Sequence, residues 1–122
     1  MYDKTILIVD DDDDIRVPLA RFFTRREFKK VFSAAKAKEA LEIIEKEKPD
    51  LALLDIQLKD EIDGVEILKR TKSGLSPSSH VVMISGTGSY EETCRQLGAS
   101  DFLNKPIDPP GILARCLTVL GL

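Results

Sequence analysis

One short run of sequence decides the fold: Leu51-Ala52-Leu53-Leu54-Asp55. Apolar residues fill this run, and polar segments bound it at Pro49-Asp50 and at Lys59-Asp60-Glu61. This pattern predicts a strand that is buried on both faces. Such strands belong to parallel sheets covered by helices. Asp55 then stands at the carboxyl end of a buried strand, where open α/β sheets bind their ligands.

A second apolar run, Ile6-Leu7-Ile8-Val9, leads directly into the acidic run from Asp10 to Asp14. If both strands end at the same edge of one sheet, several carboxylates meet there. Like charges at close range do not all stay ionised without a counter-ion. The two runs together therefore predict a site for a divalent cation such as Mg²⁺, which prefers oxygen ligands.

Strands and helices alternate along the rest of the chain. The hydrophobic pattern predicts strands at 4–9, 30–33, 51–55, 80–84 and 101–104. It predicts helices at 14–26, from Ala37 to just before Pro49, from Val65 to about 72, at 89–97 and at 109–120. This alternation indicates an α/β/α three-layer sandwich with a parallel sheet, and it leaves the strand order open.

Composition limits the class of protein. The 122 residues suit a single domain spanning 1–122, with 43% hydrophobic and 32% charged residues. A net charge of −3 provides no basic footprint for nucleic acid. The two cysteines, Cys94 and Cys116, form neither a disulfide framework nor a metal-ligand spacing. With no signal peptide or membrane-spanning run, we expect a soluble protein of the reducing cytoplasm.

Two further polar residues follow predicted strands, Ser85 and Lys105. A hydroxyl and an ammonium beside the carboxylates could bind the oxygens of a phosphoryl group transferred to Asp55. Taken singly, each residue has an ordinary interpretation: a helix cap or ion pair for Asp55, a turn residue for Ser85 and a surface charge for Lys105. Only their convergence at one sheet edge favours a site.

The acidic run also has ordinary interpretations. An isolated run of this kind is most often a solvated segment. A calcium-binding loop is excluded because Ile15 stands where that loop needs Gly and Arg21 where it needs the bidentate Glu.

Five segments in order resemble the receiver domain of two-component response regulators over nearly the whole chain. They are Ile6-Leu7-Ile8-Val9-Asp10-Asp11, Pro49 to Asp55, Asp63-Gly64, Val82-Met83-Ile84-Ser85-Gly86 and Gly98 to Pro106. The resemblance implies a flavodoxin-like doubly wound sheet of order 2-1-3-4-5 and a cis peptide between Lys105 and Pro106.

The resemblance also implies residue roles. Asp55 would be the phosphoacceptor. Mg²⁺ would be held by Asp10, Asp11, Asp55 and the backbone carbonyl of Gln57, with Asp11 binding directly and Asp10 through water.

Further roles concern the readout of phosphorylation. Ser85 and Lys105 would bind the phosphoryl group, and Phe102 would be the aromatic switch that moves inward with Ser85. Gln57 and Thr87 would tune autodephosphorylation.

The chain departs from the family pattern in four places. Lys59 replaces the usual Pro, and Asp63-Gly64 comes one residue late, so the loop carries an insertion. The interval from Ser85 to Lys105 is about two residues short, which predicts a fourth helix that is short, displaced or partly disordered. Phe102 replaces the commoner Tyr, which favours burial of the ring even without phosphate.

The resemblance implies a phosphoacceptor that serves a sensor histidine kinase or a phosphotransfer protein. It would be an enzyme only in promoting its own phosphorylation and dephosphorylation. A homodimer through helix 4, strand 5 and helix 5 fits the family, whereas direct contact with nucleic acid or a membrane is not expected. The chain would be either the receiver of a longer transcription regulator or a single-domain regulator.

These residues also bear on three other functions. The main alternative is a phosphorylation-independent interaction module with the same fold. A flavodoxin-type FMN binder needs a Ser/Thr/Gly-rich loop where the acidic run stands. A phosphatase with an aspartyl intermediate needs a second carboxylate at the position of Gln57.

Overall fold

The computed structural model describes residues 2–122 as alternating strands and helices. The strands are β1 (Tyr2–Val9), β2 (Phe28–Ala34), β3 (Leu51–Asp55), β4 (His80–Ser85) and β5 (Asp101–Asn104). The helices are α1 (Asp13–Arg25), α2 (Ala37–Glu47), α3 (Gly64–Arg70), α4 (Glu91–Gln96) and α5 (Pro109–Leu120). A π-helical turn at Thr71–Leu75 follows α3, and a 3₁₀ turn at Gly88–Tyr90 precedes α4.

The strands form one parallel sheet in the order β2-β1-β3-β4-β5. The predicted α/β fold class and the implied flavodoxin-like order are both confirmed. Register brings the carboxyl ends of the strands to one edge, with Val9 beside Leu54, and Ser85 beside Asn104. The residues that follow the strands therefore meet at this edge.

Alternate residues of the central strands enter two separate cores. Leu7 of β1 and Leu54 of β3 face the core under α2, α3 and α4, whereas Ile8 and Leu53 face the core under α1 and α5. All four are almost completely buried. Because side chains alternate along a strand, a strand covered on both faces must be apolar at every position. This explains the uninterrupted apolar runs in the sequence.

Local chemistry sets several helix ends. The Asp12 side chain caps α1 by accepting from Asp14 N–H at 2.9 Å, and the Asp108 side chain caps α5 by accepting from Gly111 N–H at 2.8 Å. Pro109 then stands at the start of α5, where no N–H is needed. After α2, Lys48 adopts a left-handed conformation with φ 46° before Pro49 stops the helix.

Some predicted bounds were wrong. β2 starts two residues earlier, at Phe28, which pairs with Tyr2 and stacks on Phe23 with ring centroids 5.4 Å apart. The packing of the Phe28 ring extends β2 to residues that the local polar pattern places outside the strand. Among residues 2–122, no helix combines the length and hydropathy needed to cross a bilayer.

The fourth helix is short, as its shortened sequence interval predicts. α4 has six residues, and its first turn is replaced by the 3₁₀ turn that the Thr87 side chain caps through Ser89 N–H. Cys94 is the buried residue of α4, and its side chain packs the helix against the core.

Candidate functional site

Three carboxylates converge at the carboxyl edge of the sheet. Asp55 is the last residue of β3, and Asp10 and Asp11 directly follow the neighbouring β1. Asp10 is 6% and Asp55 is 5% exposed, while Asp11 is half-buried. One carboxylate oxygen from each of the three residues lies within 4.8 Å of the others. The two acidic strand ends in the sequence predict this convergence, and the structure brings the three side chains together.

Lys105 supplies a positive charge within the same cluster. Its ammonium nitrogen lies 3.1 Å from Asp55 Oδ2 and 3.8 Å from Asp10 Oδ2. The backbone N–H of Lys105 donates to the Ser85 carbonyl at 2.8 Å, which holds the residue after β5 against the end of β4. The implied cis peptide between Lys105 and Pro106 is present. Lys105 is therefore part of the site and is not a free surface charge.

The cluster holds more negative than positive charge, and this imbalance contributes to a raised pKa of Asp10. Burial raises the pKa of the Asp10 carboxyl, and the charges of Asp55 and Asp11 raise it further. The N–H of Asp12, which donates to Asp10 Oδ1 at 2.9 Å, and the Lys105 ammonium lower it and only partly offset the rise. A second positive charge would relieve this repulsion.

The donor set fits a hard divalent cation. Such ions take oxygen ligands and need only one or two carboxylates besides water. Asp10, Asp11 and Asp55 provide converging oxygens. The carbonyl of Gln57 remains a predicted fourth ligand, while the Gln57 N–H donates to Asp55 Oδ1 at 3.1 Å and orients that carboxylate.

Ser85 lies beside this cluster at the end of β4. Its side chain is completely buried, and its hydroxyl oxygen accepts from Thr87 N–H at 3.1 Å. The Gln57 side-chain nitrogen is 3.3 Å from the same oxygen. The Thr87 hydroxyl instead bonds to the Ser89 hydroxyl at 2.8 Å within the 3₁₀ turn. Gln57 thus contacts both the Asp55 carboxylate and the Ser85 hydroxyl, whereas the Thr87 side chain belongs to the local turn.

Phe102 occupies the inward position of the implied aromatic switch. The ring is 3% exposed and packs in the core under α2, α3 and α4. Its backbone pairs with Met83 of β4, one strand away from Asp55. The Phe ring has no hydroxyl that burial would leave without a partner, so this position carries no desolvation cost for a polar group.

Gly64 is a site residue to which the sequence analysis assigned no role. A Cβ at this position would lie 2.3 Å from the carbonyl oxygen of Asp55. The Gly64 N–H also donates to the Ile56 carbonyl at 3.1 Å. The start of α3 therefore lies against the backbone of Asp55, and only a residue without a side chain fits. The signal was the Asp63-Gly64 pair, in which Asp63 caps α3 through Glu66 N–H at 3.0 Å.

Two residues of the loop between β3 and α3 make hydrogen bonds to distant segments, and one of these bonds reaches the site. The Lys59 N–H donates to Asp11 Oδ2 at 3.0 Å, and Asp60 Oδ2 accepts from Ala37 N–H at 2.8 Å. In the sequence, Lys59 is noticeable only because it departs from the family pattern. Nothing in the local pattern indicated that its backbone contacts a segment 48 residues away.

Comparison with known proteins places the chain in a family. The family model described as "Response regulator receiver domain" matches residues 6–117. Sporulation initiation phosphotransferase F of Bacillus subtilis is 37% identical over 110 residues, which are 88% of this chain and 86% of that protein. The alkaline phosphatase synthesis transcriptional regulatory protein PhoP of the same species is 32% identical over 118 residues, covering 96% of this chain and 48% of PhoP.

Solved structures agree with these relatives. A CheY-like receiver domain protein from Methanospirillum hungatei superposes with a TM-score of 0.89 at 33% identity, covering 98% of this chain and 95% of that one. A response regulator from Burkholderia pseudomallei, solved with a phosphorylated aspartic acid and a calcium ion, gives a TM-score of 0.84 at 27% identity and covers 98% and 69%. With the fold, the acidic cluster and the sequence match in agreement, the chain belongs to the response regulator receiver domain family.

Proposed function

We propose that this receiver domain accepts a phosphoryl group on Asp55. The observation that carries the proposal is the convergence of three carboxylates around Asp55, with the Lys105 ammonium 3.1 Å from its Oδ2. A carboxylate held beside two further acids and one ammonium is suited to attack phosphorus once a cation balances the charge. The related structure with a phosphorylated aspartic acid supports this assignment.

The donor would be the phosphohistidine of a sensor histidine kinase or phosphotransfer protein. A carboxylate oxygen of Asp55 attacks phosphorus, a P–O bond forms, and the P–N bond to the donor imidazole breaks. The electron pair of that bond stays on the imidazole nitrogen. The Gln57 N–H orients the Asp55 carboxylate through Oδ1. The Lys105 ammonium lies close enough to Asp55 to pair with an oxygen of the phosphoryl group.

Asp10, Asp11, Asp55 and the Gln57 carbonyl would hold Mg²⁺. The cation, when bound, supplies positive charge that offsets the negative charge of the phosphoryl group in the transfer. Burial first, and then the charges of Asp55 and Asp11, raise the pKa of Asp10. A bound cation would offset the repulsion among the three carboxylates.

The conformational response to phosphorylation would pass from Asp55 through Ser85 to β5. Ser85 Oγ is held by Thr87 N–H and touches Gln57, so a phosphoryl group on Asp55 would compete for it. A move of Ser85 would displace the start of the segment that leads to α4. Phe102, already buried, would stabilise the inward arrangement of the switch. We propose that α4, β5 and α5 form the surface that responds, and that a homodimer through it is one possible output.

The chain spans most of the phosphotransferase relative and about half of PhoP. We propose that residues 1–122 form a single receiver domain. These relatives are consistent with two settings for it, a single-domain phosphorelay carrier or the receiver part of a transcription regulator. Receiver domains are in general phosphoacceptors, not enzymes with a separate substrate. We propose that this one only promotes its own phosphorylation and dephosphorylation, in the cytoplasm, where ATP supplies the phosphoryl groups of histidine kinases.

The decisive experiment is phosphorylation by acetyl phosphate with Mg²⁺, followed by intact mass and peptide mapping. We expect one added phosphoryl group on Asp55, formed only with Mg²⁺ and absent from Asp55→Asn. Asp14→Asn is the matched control, because Asp14 is an exposed acid outside the cluster. It should be phosphorylated like the unmodified chain.

A folded protein that takes no phosphoryl group, and whose amide spectrum does not respond to beryllium fluoride with Mg²⁺, would overturn the proposal. That result would favour the alternative, an interaction module that works without phosphorylation.

A further inference from the structure

The loop between β3 and α3 crosses the end of β1. In the sheet order β2-β1-β3, β1 lies between β3 and β2, and α2 follows β2 along the chain. A loop that leaves β3 must therefore pass over the end of β1 to reach the start of α2. The segment Lys59-Asp60 does so, and it makes one hydrogen bond on each side of this crossing.

On the near side, the crossing segment holds a residue of the acidic cluster. The Lys59 N–H donates to Asp11 Oδ2 at 3.0 Å. Asp11 is the least buried of the three acids, and it follows the strand without being part of it. Among the described hydrogen bonds, this is the one that orients the Asp11 side chain. A residue without a backbone N–H at position 59 would leave that carboxylate free to rotate.

On the far side, the segment is anchored to a helix. Asp60 Oδ2 accepts from Ala37 N–H at 2.8 Å, and Asp60 Oδ1 accepts from Glu61 N–H at 2.8 Å. The residue at the N-cap position of α2, Lys36, makes no side-chain cap, so Asp60 replaces it from 23 residues away. The two N–H groups lower the pKa of the Asp60 carboxyl, as expected for a fixed acceptor.

We propose that Lys59 and Asp60 are positioning residues for cation binding: the Lys59 N–H aims the Asp11 carboxylate at the cluster, and the bond from Asp60 to α2 holds Lys59 in place. This inference rests on the proposed function, because it assumes that the cluster binds Mg²⁺. The Lys59 ammonium has no part in it. Lys59 is exposed at the rim of the cluster, where its charge opposes an incoming cation.

The test compares Mg²⁺ affinity in two variants of one residue, measured by calorimetry and by amide shifts. Lys59→Pro removes the N–H, and Lys59→Ala removes the side chain but keeps the N–H. We expect the dissociation constant to rise about tenfold in Lys59→Pro, as for other groups that orient a metal ligand. In Lys59→Ala it should stay equal or fall, because a repelling charge is gone. Pro is the residue the family resemblance leads one to expect at this position, so it suits the fold.

A second pair tests the anchor. Asp60→Ala should weaken Mg²⁺ binding several-fold and speed hydrogen exchange of the Lys59 amide in the metal-free protein. Glu61→Ala is the matched control: it removes the same charge from the same exposed loop, where the Glu61 side chain makes no described hydrogen bond. It should leave the Lys59 exchange rate unchanged.

Equal Mg²⁺ affinity in Lys59→Pro and Lys59→Ala, or no Mg²⁺ binding by the unmodified chain, would overturn the inference. The proposed function fails by a different result, namely absence of phosphoryl transfer to Asp55 in a chain that binds Mg²⁺.

Discussion

The ammonium nitrogen of Lys105 lies 3.1 Å from Asp55 Oδ2 and thereby joins the residue after β5 to the last residue of β3. The same nitrogen is 3.8 Å from Asp10 Oδ2. Both carboxylates are buried, so these interactions are screened by water less than surface ion pairs are. Lys105 therefore already neutralises part of the charge that a divalent cation would neutralise. The lysine and the cation share the same carboxylates.

The first prediction concerns the competition between Lys105 and a divalent cation for the same carboxylates. Lys105→Met should lower the Mg²⁺ dissociation constant by roughly three- to tenfold, since a unit charge a few ångströms away changes the binding free energy by about 1 kcal/mol. Titration calorimetry at fixed ionic strength measures the effect. Lys29→Met is the control, because Lys29 is 66% exposed and, within residues 2–122, its ion pair is with exposed Asp3. Unchanged or weaker Mg²⁺ binding in Lys105→Met would contradict the shared site.

The second prediction concerns the contact between α3 and the end of β3. Gly64→Ala places a Cβ 2.3 Å from the Asp55 carbonyl oxygen, so backbone must move. We expect the free energy of unfolding to fall by about 1–3 kcal/mol, as in other overpacked sites. Urea unfolding followed by circular dichroism measures it.

Gly74→Ala provides the matched control for that substitution. A Cβ at Gly74 meets nothing within 4 Å, so the free energy of unfolding should change by less than about 0.5 kcal/mol or rise. Equal losses of unfolding free energy in the two variants would argue that α3 does not touch the backbone of Asp55.

The third prediction is a pH dependence at the start of β5. Burial alone would raise the pKa of Asp101, but the hydrogen bonds from Arg115 at 2.7 and 2.8 Å and from Phe102 N–H outweigh it, and the pKa lies below its usual value. The charged carboxylate then stabilises the fold above the unfolded-state pKa of about 3.9. That stability is lost as the pH falls through the lower folded-state pKa.

Asp101→Asn should therefore cost about 1–2 kcal/mol at pH 7 and progressively less below pH ~4. Urea unfolding at several pH values gives the curve, with Glu61→Gln as the exposed control. A difference between Asp101→Asn and the unmodified chain that stays constant down to pH ~2 would show that the ion pair with Arg115 is not the source.

The fourth prediction concerns thiol reactivity. Cys116 lies on the buried face of α5 and is completely buried, and burial raises the pKa of its thiol to about 12. Burial raises the pKa of the Cys94 thiol as well. Since the thiolate is the reactive form, neither residue should react with iodoacetamide at pH 8 while the chain is folded. Mass spectrometry should show both alkylated in denaturant, and rapid labelling of the folded chain would contradict the packing of α4 and α5.

Much of the fold follows from local pattern. The apolar runs before Asp10 and Asp55 predict strands buried on both faces, and a strand of that kind has few other places in a protein. The polar residues after these strands, among them Ser85 and Lys105, could be assigned to one sheet edge because parallel strands end together. β2 was less predictable, since Phe28 is held in the strand by its pairing with Tyr2 and by its packing on Phe23.

The contacts within the site were less accessible to the sequence. Gly64 was visible as a motif residue, but the reason for it is a close approach to the Asp55 carbonyl that no local pattern encodes. Lys59 and Asp60 are exposed polar residues in a loop, and their positions in sequence are typical of any solvated turn. Their partners, Asp11 and Ala37, are distant in sequence and become neighbours only when the loop crosses β1.

The sequence by itself therefore determined the class of fold, the strand ends and the acids that meet there, because side-chain alternation and burial act on neighbouring residues. Only the tertiary structure decided how the Asp11 carboxylate is oriented, which carboxylates Lys105 contacts and where Phe102 lies. These depend on distances between segments that are far apart in the chain, and hydrogen bonds and ion pairs form only when folding has brought those segments within about 3–4 Å.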